Sequence, residues 1–209
     1  MTKTLELFDL APSPNNVKVR LALGFKGIPH ERIAIDPADR SNLVEISGQP
    51  LSPVIRHGET VLFDSHAIIR YLDANFREGA RLFSPEREEM KAIETWERHA
   101  RGPLGQGVGI MFGQYFADPK DPAAFERACA SIREATACIE EQLAQGPWLL
   151  GERLTAADLF CIPFANLASL TDATAGDSPI LGFFREHFDL GAGREHTRDW
   201  VARGMAFDA

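Results

Sequence analysis

The stretch Leu51–Leu72, LSPVIRHGETVLFDSHAIIRYL, decides how the chain folds. Pro53 has no backbone N–H to donate, which confines it to a strand's first residue or an exposed edge. Val54-Ile55 and Val61-Leu62-Phe63 flank His57-Gly58-Glu59-Thr60, so the segment predicts two strands joined by a tight turn. Asp64-Ser65 then opens an apolar helix. The backbone of Ser52, just ahead of Pro53, is open to an extended ligand that adds itself like another strand.

The start of that helix carries chemistry. A helix N-terminus has unpaired N–H groups and a partial positive charge, which suit a carboxylate. The Ser65 hydroxyl adds a donor, and the Asp64 carboxylate beside it suits an ammonium. A carboxylate site next to an ammonium site matches the free end of an amino acid. The same two residues also meet the ordinary needs of a helix cap, so both readings stand on the residues alone.

Working outward, the N-terminal segment alternates strand and helix. Thr4–Leu10 reads as a strand. Val17–Phe25 reads as a helix with Val17, Leu21 and Phe25 on one stripe, stopped by Gly27 and Pro29. Glu31–Ile35 puts Ile33 and Ile35 on one strand face. Residues 39–46 predict a short helix or irregular turn. The order βαβ, link, ββα implies a mixed sheet with helices packed on it.

The polar run Arg77–Pro85, REGARLFSP, marks a boundary. It predicts an α/β domain over residues 1–79, a linker at 80–85 and an all-α domain over 86–209. In the second part, Glu86–Phe116 is a long helical stretch interrupted by Gly102, Pro103, Gly105, Gly107 and Gly109, so a bend is expected near Pro103. Residues 122–145 predict a helix ended by Gly146-Pro147. Arg194–Met205 predicts the last helix. Leu154-Thr155-Ala156-Ala157-Asp158-Leu159 reads as a capping box with a hydrophobic staple, and Pro163 falls inside the helix that it starts.

Composition narrows the function. Hydrophobic residues make up 44% and charged residues 25%, which is ordinary for a soluble domain. The net charge of −8 argues against a nucleic-acid partner, whose phosphates are held by Lys and Arg. No run approaches the length of a membrane span, and MTKTLELFDL lacks the apolar core of a signal peptide, so a cytoplasmic protein without a membrane partner is expected. The three cysteines, Cys129, Cys138 and Cys161, have no metal spacing and read as small buried apolar residues; no metal site is expected.

Taken together, these motifs resemble the cytosolic glutathione S-transferase superfamily over nearly the whole chain, most closely its bacterial, serine-type-like members. Leu51–Leu72 resembles the glutathione-binding segment, Ser13–Arg20 (SPNNVKVR) the activating segment, and Leu154–Leu159 the capping box of the helical domain. The resemblance implies an N-terminal thioredoxin-like domain, a C-terminal helical bundle and a homodimer. It assigns the γ-glutamyl carboxylate of glutathione to Ser65, its ammonium to Asp64 and its cysteinyl backbone to Ser52 before Pro53, with Gln49 assisting. For the glycine carboxylate it offers Arg40 or Lys18, both of which also read as solvated surface charges.

The activity implied is attack by the glutathione thiolate on a small hydrophobic electrophile, or reduction of a peroxide. A free thiol with a pKa of roughly 8.5 is only slightly ionised at neutral pH, so it needs a donor to its sulfur. Ser13 stands where serine-type members place the activating hydroxyl, and the Asn15 amide is the alternative. No Tyr or Cys stands there, which argues against a protein mixed disulfide. The usual Gly-x-Val-Pro becomes Gly48-Gln49-Pro50-Leu51-Ser52-Pro53, with extra residues in the loop. Met111, Phe112 and Tyr115 are candidates for the electrophile pocket, or for plain bundle core. His66 is expected to face solvent or a partner subunit, and Trp96, Trp148 and Trp200 to anchor core or interface. The other class of reading is a binding or regulatory protein that keeps the fold without turnover.

Overall fold

A computed structural model describes residues 4–208, and the chain divides into two units. One runs to Phe83 and takes in Phe207 and Asp208; the other is Ser84–Ala206.

The first unit contains β1 (Leu5–Asp9), α1 (Pro14–Lys26), β2 (His30–Ala34), α2 (Ser41–Ser47), β3 (Val54–His57), β4 (Thr60–Phe63) and α3 (Ser65–Asn75). The sheet order is β2-β1-β3-β4. β1 is parallel to β2, which requires the α1 crossover, and antiparallel to β3; β3 and β4 form the hairpin read from the sequence. Side chains alternate between the faces of a strand. Phe8 and its partner Val54 therefore go to one face, where they join Ile35 and Leu43 of the α2 side in a buried cluster. Leu7 and its partner Ile55 go to the other face and are fully buried. α1 and α3 pack on each other, and α3 lies against β3 and β4. This is the thioredoxin-like α/β arrangement, and the uncertain stretch 39–46 resolves into α2.

The second unit is all helix: α4 (Arg87–His99), α5 (Gly105–Phe116), α6 (Pro122–Leu143), α7 (Ala156–Leu167), α8 (Asp172–Ala175), α9 (Pro179–His187) and α10 (Glu195–Met205). α8 and α9 are absent from the sequence reading. Their starts do carry signals: Thr171 caps α8, and Ser178 with Pro179 at the first helical position opens α9. Pro103 does not break the chain into two separated helices. It sits in a π-helical segment, Ala100–Leu104, that joins α4 to α5 without a loop. In the glycine-rich α5, Gly107 has a packing reason: a Cβ there would lie 2.9 Å from the Ala128 carbonyl oxygen of α6. Pro163 lies buried inside α7 without ending it. Of the cysteines, Cys129 and Cys161 are buried, but Cys138 is exposed, contrary to the expectation for all three.

The capping box at Thr155 forms, and Asp158 does more than cap. Its carboxylate accepts from the Thr155 N–H and the Leu149 N–H, each at 2.9 Å, and from Trp200 Nε1 at 2.9 Å. Burial pushes this carboxyl above its usual range, and the donors work against that shift. One side chain thus ties the start of α7 to the preceding loop and to α10. An Asp158→Asn variant would turn an NH2 group toward donors. It is expected to cost about 3 kcal/mol in urea unfolding.

Glu140 of α6 caps α10 from outside. It accepts from the His196 N–H at 3.1 Å, the Thr197 N–H at 2.8 Å and the Thr197 hydroxyl at 2.6 Å. Burial raises its pKa, but those donors and the neighbouring His196 outweigh burial and hold it below the usual glutamate value. A depressed carboxyl contributes stability above its unfolded pKa and loses it as the pH falls through the folded one. Glu140→Gln is therefore expected to be less stable than wild type at neutral pH. In thermal unfolding across an acid series, the gap should close as the pH drops below the ordinary glutamate range.

Candidate functional site

Every residue read as a glutathione contact or thiol activator lies in the first unit. The turn after β1 brings the chain from Leu10 to Ser13, whose N–H donates to the Leu10 carbonyl at 3.0 Å. Ser13 is the N-cap of α1, yet its hydroxyl makes no cap bond; the Ser13 carbonyl accepts from the Asn16 and Val17 N–H groups. Asn15 is exposed, and its Oδ1 accepts from Lys18 Nζ at 3.0 Å.

Asn16, which the sequence analysis gives no role of its own, is fully buried. Its Oδ1 accepts from the Leu10 N–H at 3.2 Å, and its Nδ2 donates to the Ser52 hydroxyl at 2.9 Å. One amide therefore fixes the β1–α1 turn to the residue preceding Pro53. The Ser52-Pro53 peptide is cis, and Pro53 is buried directly ahead of β3. The longer loop before it is shaped by Gln49. Its Oε1 accepts from the Leu51 N–H at 2.7 Å, and its Nε2 donates to the Leu51 carbonyl and to the Ser47 hydroxyl, both at 2.9 Å. Arg40 reaches the Pro50 carbonyl of the same loop at 3.3 Å.

At the α3 end, Asp64 is the only non-glycine residue with positive φ among the described residues, at φ 71°. Such a backbone costs on the order of 1–3 kcal/mol, and strain of this kind gathers at ligand sites. Its Oδ1 accepts from the His66 N–H at 2.9 Å and the Ala67 N–H at 3.1 Å, so Asp64 caps α3. Ser65 is the first helical residue and is only 5% exposed.

Two expectations are corrected here. Lys18 is not a solvated charge, and it is not open to a glycine carboxylate: it is 1% exposed. His66 does not face solvent: it is 2% exposed, with Nε2 3.0 Å from Lys18 Nζ. The charged type and the isolated position of these residues hid a pairing across 48 positions in sequence.

The pocket candidates lie in the second unit. Met111 is fully buried; Phe112 packs edge-on to Phe184 at 4.7 Å, and Tyr115 to Phe183 at 5.4 Å. Among the described residues, no group of three or more His, Cys, Asp or Glu is placed to hold a metal, and no helix is long and apolar enough to cross a membrane.

Comparison with known proteins identifies the class. Residues 7–80 match the family model of the glutathione S-transferase N-terminal domain, and residues 122–203 that of the C-terminal domain. The chain belongs to the glutathione S-transferase superfamily. It is 26% identical over 209 residues to the glutathione S-transferase-like protein tpcF of Aspergillus fumigatus, covering 92% of this chain and 87% of that one. It is 31% identical over 169 residues to the disulfide-bond oxidoreductase YfcG of Escherichia coli, covering 75% and 77%. A glutathione transferase family member from Pseudomonas fluorescens, solved with two glutathione bound, superposes with a TM-score of 0.71 at 23% identity, covering 98% and 87%.

Removing the Asn16 amide leaves the half-buried Leu10 N–H without its acceptor and Ser52 without its donor. Asn16→Ala is expected to lower stability by about 1–3 kcal/mol in chemical unfolding, well above the effect of an Ala at exposed Asn15.

Proposed function

We propose that this chain is a glutathione transferase that binds glutathione on its first unit and ionises the thiol there. The observation that carries the reading is the tie of α1 to the Ser52-Pro53 turn through Asn16, with the strained Asp64 cap and Ser65 opening α3 in the same unit. In this reading the cysteinyl backbone pairs beside Ser52 and Pro53, with Gln49 holding the loop. The γ-glutamyl carboxylate meets Ser65 and the α3 N-terminus, and the ammonium meets Asp64. The thiol gives its proton to solvent, and the sulfur accepts from Ser13 or Asn15. Met111, Phe112 and Tyr115 are the proposed electrophile wall, Met111 supporting it from the core.

The substrate is proposed to be a small hydrophobic electrophile, with sulfur forming the new bond as the leaving group departs. Peroxide reduction would use two glutathiones and yield the disulfide, an alcohol and water. The named activity of the Escherichia coli relative puts small disulfides in the same screen. A cytoplasmic homodimer is proposed from the family.

Calorimetric titration of glutathione, repeated in buffers of different ionisation enthalpy, tests this. Saturable binding with proton release near neutrality is expected. Absence of binding at millimolar glutathione would favour a partner-binding protein without turnover. Ser65→Ala is expected to weaken glutathione binding about 10- to 100-fold, the cost of a hydrogen bond to a charged group; unchanged affinity in a folded variant would remove Ser65 from the site.

A further inference from the structure

We propose that Lys18 is a positioning residue that orients the Asn15 amide as the donor to the glutathione thiol, with His66 as its anchor. The proposal rests on the reading of the first unit as a glutathione site.

The argument begins with burial. A lysine on a helix ordinarily sends its ammonium to water, and an ammonium held inside costs several kcal/mol unless it is well hydrogen-bonded. Lys18 is among the largest fully buried side chains of the chain. Its Nζ lies 3.0 Å from Asn15 Oδ1 and 3.0 Å from His66 Nε2. These partners come from two segments of the proposed site: Asn15 from the start of α1, and His66 from the residue after Ser65.

An ammonium donates and never accepts. That property fixes its partners. Asn15 must turn its oxygen toward Lys18, which leaves the amide NH2 as the end directed elsewhere. His66 must offer Nε2 as a lone pair, so its ring proton sits on Nδ1. Without Lys18 the Asn15 amide could flip and present its oxygen to the thiol, an acceptor where the thiolate needs a donor. The residue spacing fits: Asn15 and Lys18 are three apart on α1 and share a face. The Ser13 hydroxyl is one residue outside the helix and rotates independently of Lys18, so the two candidate donors can be separated by experiment.

The test is a double-mutant cycle read as the pKa of the enzyme-bound thiol, followed by thiolate absorbance, with S-methylglutathione as a ligand that has no thiol to ionise. Wild type must first bind glutathione; if it does not, the transferase reading itself fails. Given binding, Lys18→Met is expected to raise the bound thiol's pKa by about one unit, as Asn15→Ala does. The double variant should show no further rise, because one residue acts through the other. Affinity for S-methylglutathione should change by less than roughly threefold. In the Ser13→Ala background, Lys18→Met should keep its full effect.

A Lys18→Met effect that persists undiminished beside Asn15→Ala would overturn the proposal. So would an equal loss of S-methylglutathione affinity, which would reduce Lys18 to packing. If Lys18→Met does not fold, His66→Leu removes the anchor and leaves the ammonium in place. It is expected to raise the thiol pKa only when Asn15 is present, and a rise independent of Asn15 would overturn the proposal equally.

Discussion

The first unit depends on one constraint: α1 buries polar groups that must all find partners. A buried amide or ammonium without hydrogen bonds costs more than most single packing contacts return. Asn16, Lys18 and Arg20 all lie inside, two positions apart along the helix. Asn16 takes the Leu10 N–H and the Ser52 hydroxyl, and Lys18 takes Asn15 and His66. Arg20 takes Asp9 at 3.0 Å and Asp208 at 2.6 Å, and those carboxylates hold its guanidinium charged despite burial. The loops that form the candidate site are therefore placed by the hydrogen-bond partners that α1 demands. Among the described residues no buried side-chain nitrogen or oxygen lacks a partner, so the demand is met in full.

This explains what the sequence could and could not disclose. Periodicity exposed the strands and α1 because Val17, Leu21, Ile33 and the hairpin residues repeat at the right spacing. The capping box was readable because its partners lie within four residues. Lys18 and His66 are not legible as buried residues because charge and isolation are normally signs of the surface. Their pairing is a tertiary fact, visible only when α1 and α3 are brought together. Asn16 is hidden for a related reason: nothing local distinguishes an inward-facing asparagine from its exposed neighbour Asn15. In the helical unit, α8 and α9 escaped because they are short and separated by glycine and proline, although Ser178-Pro179 was a legible start.

Asp64 meets the needs of a helix cap, and that role does not occupy all of its carboxylate. The carboxylate does cap α3, through two backbone N–H groups on one oxygen. A plain cap does not need positive φ, and Asp64 has it. The cap therefore leaves part of its geometry unexplained, and the exposed carboxylate beside Ser65 at this strained turn is the feature on which the proposed ammonium contact rests. The residues of this corner are held by their own helix, an arrangement that would reduce the ordering the proposed binding imposes.

The π-helical segment Ala100–Leu104 has a consequence for how this family member can change length. A π turn takes up one extra residue, and in an α-helix one residue is about 100° of rotation. Across this segment the rod changes neighbours: α4 packs on α7, whereas α5 packs on α6, with the close Gly107 approach near the start of α5. The five residues thus act as an angular gauge that sets which side of α5 meets α6. A single insertion or deletion there would turn Val108 and Met111 together away from their buried side. The same change in the exposed connection at residues 117–121 would alter only slack. Tolerance to insertion and deletion along this helical rod is therefore governed by helical phase, not by how far a position lies from the candidate site.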